Sequence, residues 1–193
     1  MLTTATRQRH EEEAGLSTPT LVGGQLPFGR WATTIPEIDA AYVPADPNDV
    51  RRQIWDQWVS LTIALKSVVG EIASCWLSGS FFTDKAIPGD IDCLYIIDTD
   101  RLAAVTASQR PDHIWFVQQA TKGLIKANYG IPVDSYVLEW VPTSGPNIPV
   151  GARSYLELRG YWDDLWVRVK DSNHRLDSVP RRGYLEVIID GYR

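Results

Sequence analysis

The longest regular pattern in the chain runs through Ile54, Trp58, Leu61, Leu65 and Val68, apolar positions that recur at alternating spacings of 4 and 3 residues. That is one face of an amphipathic helix. Asp46-Pro47-Asn48-Asp49 supplies the start signal, with Asn48 or Asp49 as the cap, and Gly70 follows the last turn, so the pattern predicts a helix reaching about Val69. The pattern then changes. Ile72–Leu77 and Ile91–Ile97 are short, dense apolar runs that read as strands, separated by a polar turn and loop over Ser78–Gly89. Asp98-Thr99-Asp100 can cap a helix beginning near Leu102, and Pro111-Asp112 restarts a helical stretch that reaches about Asn128 before Gly130-Ile131-Pro132 breaks it. Val133–Val141 reads as a third strand, bounded by Pro142 and Gly145-Pro146, with a loop at Asn147–Gly151. Arg153–Gly160 reads as helix, Tyr161–Lys170 fits either helix or strand, and Gly183–Ile189 reads as a closing strand.

Upstream, residues 1–19 are polar and read as a loosely attached tail, followed by one domain over residues 20–193. Leu26-Pro27-Phe28-Gly29 looks like an extended arm packed on that domain, and Thr34-Ile35-Pro36-Glu37-Ile38 begins a short helix. Helices interleaved with about three core strands predict a small α/β (α+β) domain, a mixed sheet flanked by helices. A chain of 193 residues with 44% apolar positions is long enough for a real core, burying roughly 70% of its unfolded surface. The eight tryptophans spread from Trp31 to Trp166 without a repeat and read as core packing. The run Tyr161-Trp162-Asp163-Asp164-Leu165-Trp166 reads as a packing segment carrying exposed acids, or as part of a partner-binding face.

A formal charge of −5 and an isoelectric point near 5.2 argue against broad non-specific nucleic-acid binding, which draws its affinity from phosphate neutralisation. Local basic patches remain available at Arg51 and Arg52, at Lys122 and Lys126, and at Arg168, Lys170, Arg175, Arg181 and Arg182. Arg51 and Arg52, in the first turn of the long helix, read as surface residues. Cys75 and Cys93 fall in predicted strands without a Cys or His companion at metal spacing, and read as buried free thiols. His10, His113 and His174 are too scattered for a zinc site. No signal peptide and no apolar run of about 18 residues is visible, so a cytoplasmic protein without membrane attachment is expected.

One feature resists a purely structural explanation. Asp90 and Asp92 stand at the entrance of the second strand, two residues apart, and strand alternation turns both to one side with Cα atoms about 7 Å apart. At about 6 Å and an effective dielectric near 20, two carboxylates repel by about 3 kcal/mol. A divalent cation converts that repulsion into affinity. Asp134, at the start of the third strand, supplies a further oxygen donor if the two strands are neighbours. Hard carboxylate oxygens suit Mg²⁺ or Mn²⁺, with water and substrate phosphates completing the octahedron.

The order helix, strand, Gly79-Ser80 turn, Asp90-Ile91-Asp92 strand and later Asp134 strand resembles the nucleotidyltransferase superfamily typified by DNA polymerase beta and kanamycin nucleotidyltransferase. The chain also resembles the DUF6932 type of bacterial nucleotidyltransferase-like protein over about residues 25–190. That likeness rests on the Leu26-Pro27-Phe28-Gly29 arm, on Thr33-Thr34-Ile35-Pro36-Glu37, on the Gly-Ser and Asp-Ile-Asp core, and on Arg168-Val169-Lys170-Asp171 and Arg182-Gly183-Tyr184-Leu185-Glu186. The resemblance implies a minimal nucleotidyltransferase fold and an Mg²⁺-dependent transfer of NMP from an NTP such as ATP to an acceptor hydroxyl. Asp90 and Asp92 would hold the metal on the triphosphate, and Asp134 would help bind a second metal and align or deprotonate the acceptor. Gly79 would let the backbone approach the phosphates, and Ser80 would donate to them. The acceptor could be a tRNA 3′ end or a protein, and small members of the superfamily include toxins and antitoxins of toxin–antitoxin pairs.

A triphosphate also needs cations. Lys122 and Lys126 lie about one turn apart in the predicted 111–128 helix, where one face could present both, and Lys85 lies in the loop between Ser80 and the carboxylates. Two other functions compete with transfer. One is a binding or antitoxin module that kept the fold without the chemistry. The other is a metal-dependent phosphohydrolase using the same three acids.

Overall fold

The computed structural model describes residues 18–142, 150–169 and 181–192. In chain order the elements are β1 (Arg30–Thr33), α1 (Ile35–Tyr42), α2 (Val50–Val69), β2 (Ser74–Ser78), β3 (Ile91–Asp98), α3 (Thr99–Ala107), α4 (Pro111–Thr121), α5 (Ile125–Tyr129), β4 (Val133–Trp140), α6 (Val150–Trp166) and β5 (Tyr184–Ile188). The long predicted helix forms as α2. The Asp49 side chain accepts from the Arg51 backbone N–H at 2.7 Å, which satisfies one orphan donor of the first turn. Gly70 closes the helix at φ +88°, a conformation glycine adopts without a Cβ penalty, and its N–H donates to Lys66 O. Thr34 caps α1 reciprocally with Glu37, as a capping box.

The strands form one mixed five-stranded sheet in the order β1-β5-β2-β3-β4. β2 runs antiparallel to both β5 and β3, while β1–β5 and β3–β4 are parallel pairs. Both faces are covered, which is why Cys93–Ile97 is apolar without alternation. Cys75, Leu77, Cys93, Tyr95 and Ile97 join the α2 side chains Trp55, Trp58, Leu61 and Leu65 in the main core. Trp76, Leu94, Ile96 and Leu138 face the other way, toward Tyr155 and Trp166 of α6. The two thiols are buried, and burial pushes the Cys75 pKa up. Tyr95, in the main core, shares a 2.8 Å hydrogen bond with the Thr62 hydroxyl of α2.

β5 carries a buried carboxylate, Glu186, with a complete set of partners. Ser74 Oγ, Trp76 Nε1 and the Tyr192 hydroxyl donate to it at 3.0, 3.2 and 2.6 Å, and Arg30 Nε lies 3.3 Å away. Pairing of this kind is what makes an ionised group tolerable in a core strand.

Several elements depart from the sequence expectation. Among the described residues the sheet has five strands, one more than the four runs that read as strands: β1 follows the arm and pairs with β5 across most of the chain length, a partner no local pattern announces. The predicted 111–128 helix is two helices, α4 and α5, because the chain turns at Lys122–Leu124 with Gly123 at φ +70°. α6 continues from the predicted 153–160 helix through Trp166, so Tyr161–Trp166 is helical. Most of the loop expected at Asn147–Gly151 lies outside the described residues, and α6 begins at Val150. The first 17 residues of the expected tail also lie outside them, whereas Thr18 hydrogen-bonds Thr33 at 2.9 Å and Pro19 O accepts from the Tyr42 hydroxyl. Among the described residues, no helix is long and apolar enough to cross a membrane.

Candidate metal centre

The site lies where the end of β2 meets the starts of β3, β4 and β5. Parallel pairing sets Asp92 directly beside Asp134, and the antiparallel partner of Asp92 on the other side is Ser78. Asp90 precedes β3 by one residue, and the Ile91 N–H donates to Pro132 O at 3.1 Å, locking the two strand entrances together. One carboxylate oxygen from each of Asp90, Asp92 and Asp134 lies within 4.8 Å of the others. Oxygens on opposite sides of a single Mg²⁺ are about 4.2 Å apart, given metal–oxygen bonds near 2.1 Å. Small rotations of half-buried side chains close that gap, so the donor set fits a hard divalent cation.

The turn beside the carboxylates is built around Gly79. Its backbone holds φ +93° and ψ −173°, and an ideal Cβ there would stand 2.5 Å from Asp92 Oδ2 and 3.2 Å from the Asp92 backbone N. Only glycine leaves room for this close approach. Ser80–Phe82 follows as a short 3₁₀ turn anchored by the buried rings of Phe81 and Phe82. Thr83 Oγ1 donates to Ser80 O at 2.7 Å and closes the turn. Arg51 then staples the loop: its guanidinium donates to the carbonyls of Phe81, Thr83 and Lys85, the last two at 2.9 and 2.5 Å. This corrects the reading of Arg51 as a surface residue. Arg52 is likewise engaged, with Nε donating to Pro44 O at 2.9 Å and Nη1 reaching Asp39 at 2.6 Å.

The cations expected at the site divide. Lys126, on α5, forms an ion pair with Asp90. The hydrogen bond to Asp90, then the charges of Asp90, Asp134 and Asp92, hold its pKa above the usual lysine value. Asp134 is pushed up, first by burial and then by Asp90, with Lys126 opposing. Lys122 is not on a helix face with Lys126. It caps the end of α4, is exposed, and its backbone bridges to Tyr136, because the turn at Gly123 separates the two lysines onto different helices. Lys85 is exposed on the loop, where its carbonyl accepts from Arg51. Neither Lys85 nor Lys122 lines the cleft at the carboxylates.

A cation that the sequence reading placed only in a general basic group does line it. Arg182, just before β5, donates through Nε to Trp166 O at 3.2 Å, and Asp92 is the charge that acts on it; burial lowers its pKa and Asp92 opposes that. The carboxylates are therefore flanked by Arg182 on the β5 side and Lys126 on the β4 side. No periodic signal could single out Arg182; its place just before β5, beside the turn that follows β2, comes from the antiparallel β2–β5 pairing. Since Lys126 occupies the place of a counter-ion, Lys126→Met is expected to tighten Mn²⁺ binding in the absence of nucleotide by about two- to fivefold, the scale of an exposed ion pair. Titration calorimetry reads this directly, and weaker binding in the variant would show that Lys126 supports the metal rather than competing with it.

From Gly79 and Ser80 the cleft continues past Asp92 to an aromatic wall of Tyr136, Tyr161, Trp162 and Trp166, enclosing about 620 Å³. That volume is typical of small-ligand sites. Trp162 packs on Tyr136 with ring centroids 4.9 Å apart, so Tyr161–Trp166 serves both as packing and as a cleft wall. Asp163 accepts from the Tyr184 hydroxyl and Asp164 pairs with Arg168 at 2.6 Å, so the adjacent acids of this segment brace α6.

Fold and site together define a mixed α/β domain whose sheet edge carries a three-carboxylate cluster able to hold a divalent cation. The chain belongs to DUF6932, a family of unknown function, whose pattern it matches over residues 20–188. No curated protein matches the chain, and no solved structure matches it either.

Proposed function

We propose that this chain is a divalent-metal-dependent nucleotidyltransferase that moves a nucleoside monophosphate from an NTP to an acceptor hydroxyl on RNA or protein. One observation carries the reading: Gly79 and Ser80 line a cleft together with Asp92, Gly79 is fitted against that carboxylate, and Asp90 and Asp134 converge on it. A phosphate-holding turn beside a metal-holding triad is what phosphoryl transfer needs, since positioning and electrostatics supply most of the catalysis.

Asp90, Asp92 and Asp134 would hold Mg²⁺ or Mn²⁺, which supplies positive charge to the phosphoryl oxygens. The Ser80 hydroxyl and amide would donate to the terminal phosphates, and the Arg182 guanidinium would approach them from the β5 side. Asp134 would orient the acceptor hydroxyl and take its proton, a role suited to a carboxylate whose pKa is raised. The acceptor oxygen bonds to the α-phosphorus, the bond from that phosphorus to the bridging oxygen breaks, and pyrophosphate leaves with the electron pair. The acceptor proton passes to Asp134 and then to water.

The test is incubation with each α-labelled NTP, Mg²⁺ and total cell extract, followed by partition of label into RNA, protein and small molecules. Transfer with release of pyrophosphate is expected for the wild type and not for Asp90→Ala with Asp92→Ala. Absent transfer, equal transfer by the double variant, or release of orthophosphate alone would overturn the proposal.

A further inference from the structure

The sheet register sets an order across the cleft. Arg182 precedes β5, Ser78 ends β2 with Gly79 and Ser80 in the turn after it, Asp92 stands on β3, and Asp134 and Tyr136 stand on β4. With strands about 4.8 Å apart, this edge runs about 14 Å from β5 to β4. A triphosphate held at Ser80 and Arg182, with its α-phosphorus at the aspartates, places its nucleoside over β4. What stands there is aromatic. Tyr136 backs Trp162, and Tyr161 lies next to Trp162 with ring centroids 5.5 Å apart at 74°.

Tyr161 is 57% exposed although it lines the cleft. A large ring left open to solvent beside a polar site is out of place in a packing segment. Its neighbour Trp162 is packed against the second core, so α6 fixes the position of the Tyr161 backbone without covering its ring. An exposed ring on a rigid element is a stacking surface, and stacking accepts any base because every base has a π-face.

We propose that Tyr161, backed by Trp162 and Tyr136, is the seat of the nucleobase of the bound NTP. This rests on the nucleotidyltransferase reading and adds to it the residues that recognise the nucleoside. The seat provides stacking in place of base-specific hydrogen bonding, so the four ribonucleotides bind with affinities of the same order.

The experiment is isothermal titration of the full chain with ATP, GTP, CTP, UTP and inorganic tripolyphosphate, each with Mg²⁺. Wild type is expected to bind the four NTPs about tenfold or more tightly than tripolyphosphate, the scale of one stacked base. Tyr161→Ala removes most of that difference while tripolyphosphate affinity stays within twofold, and Tyr161→Phe restores it. Tyr161 is exposed, so an unchanged melting temperature accompanies the change. Equal binding of NTPs and tripolyphosphate by wild type overturns the base seat and leaves the phosphate and metal site standing. Unchanged NTP affinity in Tyr161→Ala does the same. Binding of neither by wild type overturns the seat and the nucleotidyltransferase reading together.

Discussion

Asp92→Ala is expected to lower the proposed nucleotidyl transfer by about three orders of magnitude at saturating Mg²⁺, equivalent to about 4 kcal/mol of transition-state stabilisation. No other carboxylate of the cluster has so many constraints. Asp92 lies in register between Ser78 and Asp134, receives the Gly79 turn against its Oδ2, and is the charge that acts on Arg182. Its removal takes one of the three oxygens that could hold a metal and the partner around which the Gly79 turn is shaped. Asp92→Asn keeps the volume and one oxygen but loses the charge, and falls between the two. Stability without metal should move little, because the lost attraction to Arg182 is offset by relief of repulsion from Asp90 and Asp134, whose oxygens lie within 4.8 Å. Steady-state incorporation of labelled NMP, paired with thermal melts in chelator, separates these effects. A loss smaller than tenfold in Asp92→Ala would remove it from the reaction centre.

The features legible in the sequence are those whose physics is local or periodic. α2 was visible because an apolar stripe, a capping aspartate and a closing glycine agree at every level. Asp90 and Asp92 are legible because strand alternation turns both to one side at a strand entrance, whereas the place of Asp134 beside Asp92 comes from the β3–β4 register. That β4 lies beside β3 stands in the sequence only as a condition, and the parallel register meets it. What stayed hidden depends on tertiary placement. β1 is four residues with no alternation to announce it, and it exists because β5 lies alongside. The turn at Gly123 interrupts a pattern that reads equally well as one helix, and with it the pairing of Lys122 and Lys126 fails. Arg51 and Arg182 have long side chains whose targets, the loop carbonyls and the Asp92 side of the cleft, are fixed only when the fold closes. The aromatic run Tyr161–Trp166 was readable as packing, but the split between packed Trp162 and open Tyr161 required the helix phase that the sequence left undecided.

Gly79→Ala carries the second large expected effect, and it distinguishes two roles for this glycine. The resemblance to nucleotidyltransferases assigns it to the approach of backbone and phosphate. The structure adds a constraint that exists before any nucleotide arrives. At φ +93° an alanine is strained by about 1–3 kcal/mol, and its Cβ meets Asp92 Oδ2 at 2.5 Å and Asp92 Cγ at 3.1 Å. The carboxylate can rotate away, but the Asp92 backbone N at 3.2 Å is held in the β2–β3 ladder. The variant therefore yields by displacing the Asp92 carboxylate from the three-aspartate cluster. A displacement of about 1 Å at a reaction centre lowers rate about 10²-fold, and the strain lowers the melting temperature by a few degrees. The deciding measurement is Mn²⁺ affinity without nucleotide. If glycine served only the phosphates, Gly79→Ala would bind Mn²⁺ as the wild type does and lose only NTP affinity. Because Gly79 makes the space in which Asp92 sits, Mn²⁺ binding is expected to weaken as well, and in the same variant that loses transfer.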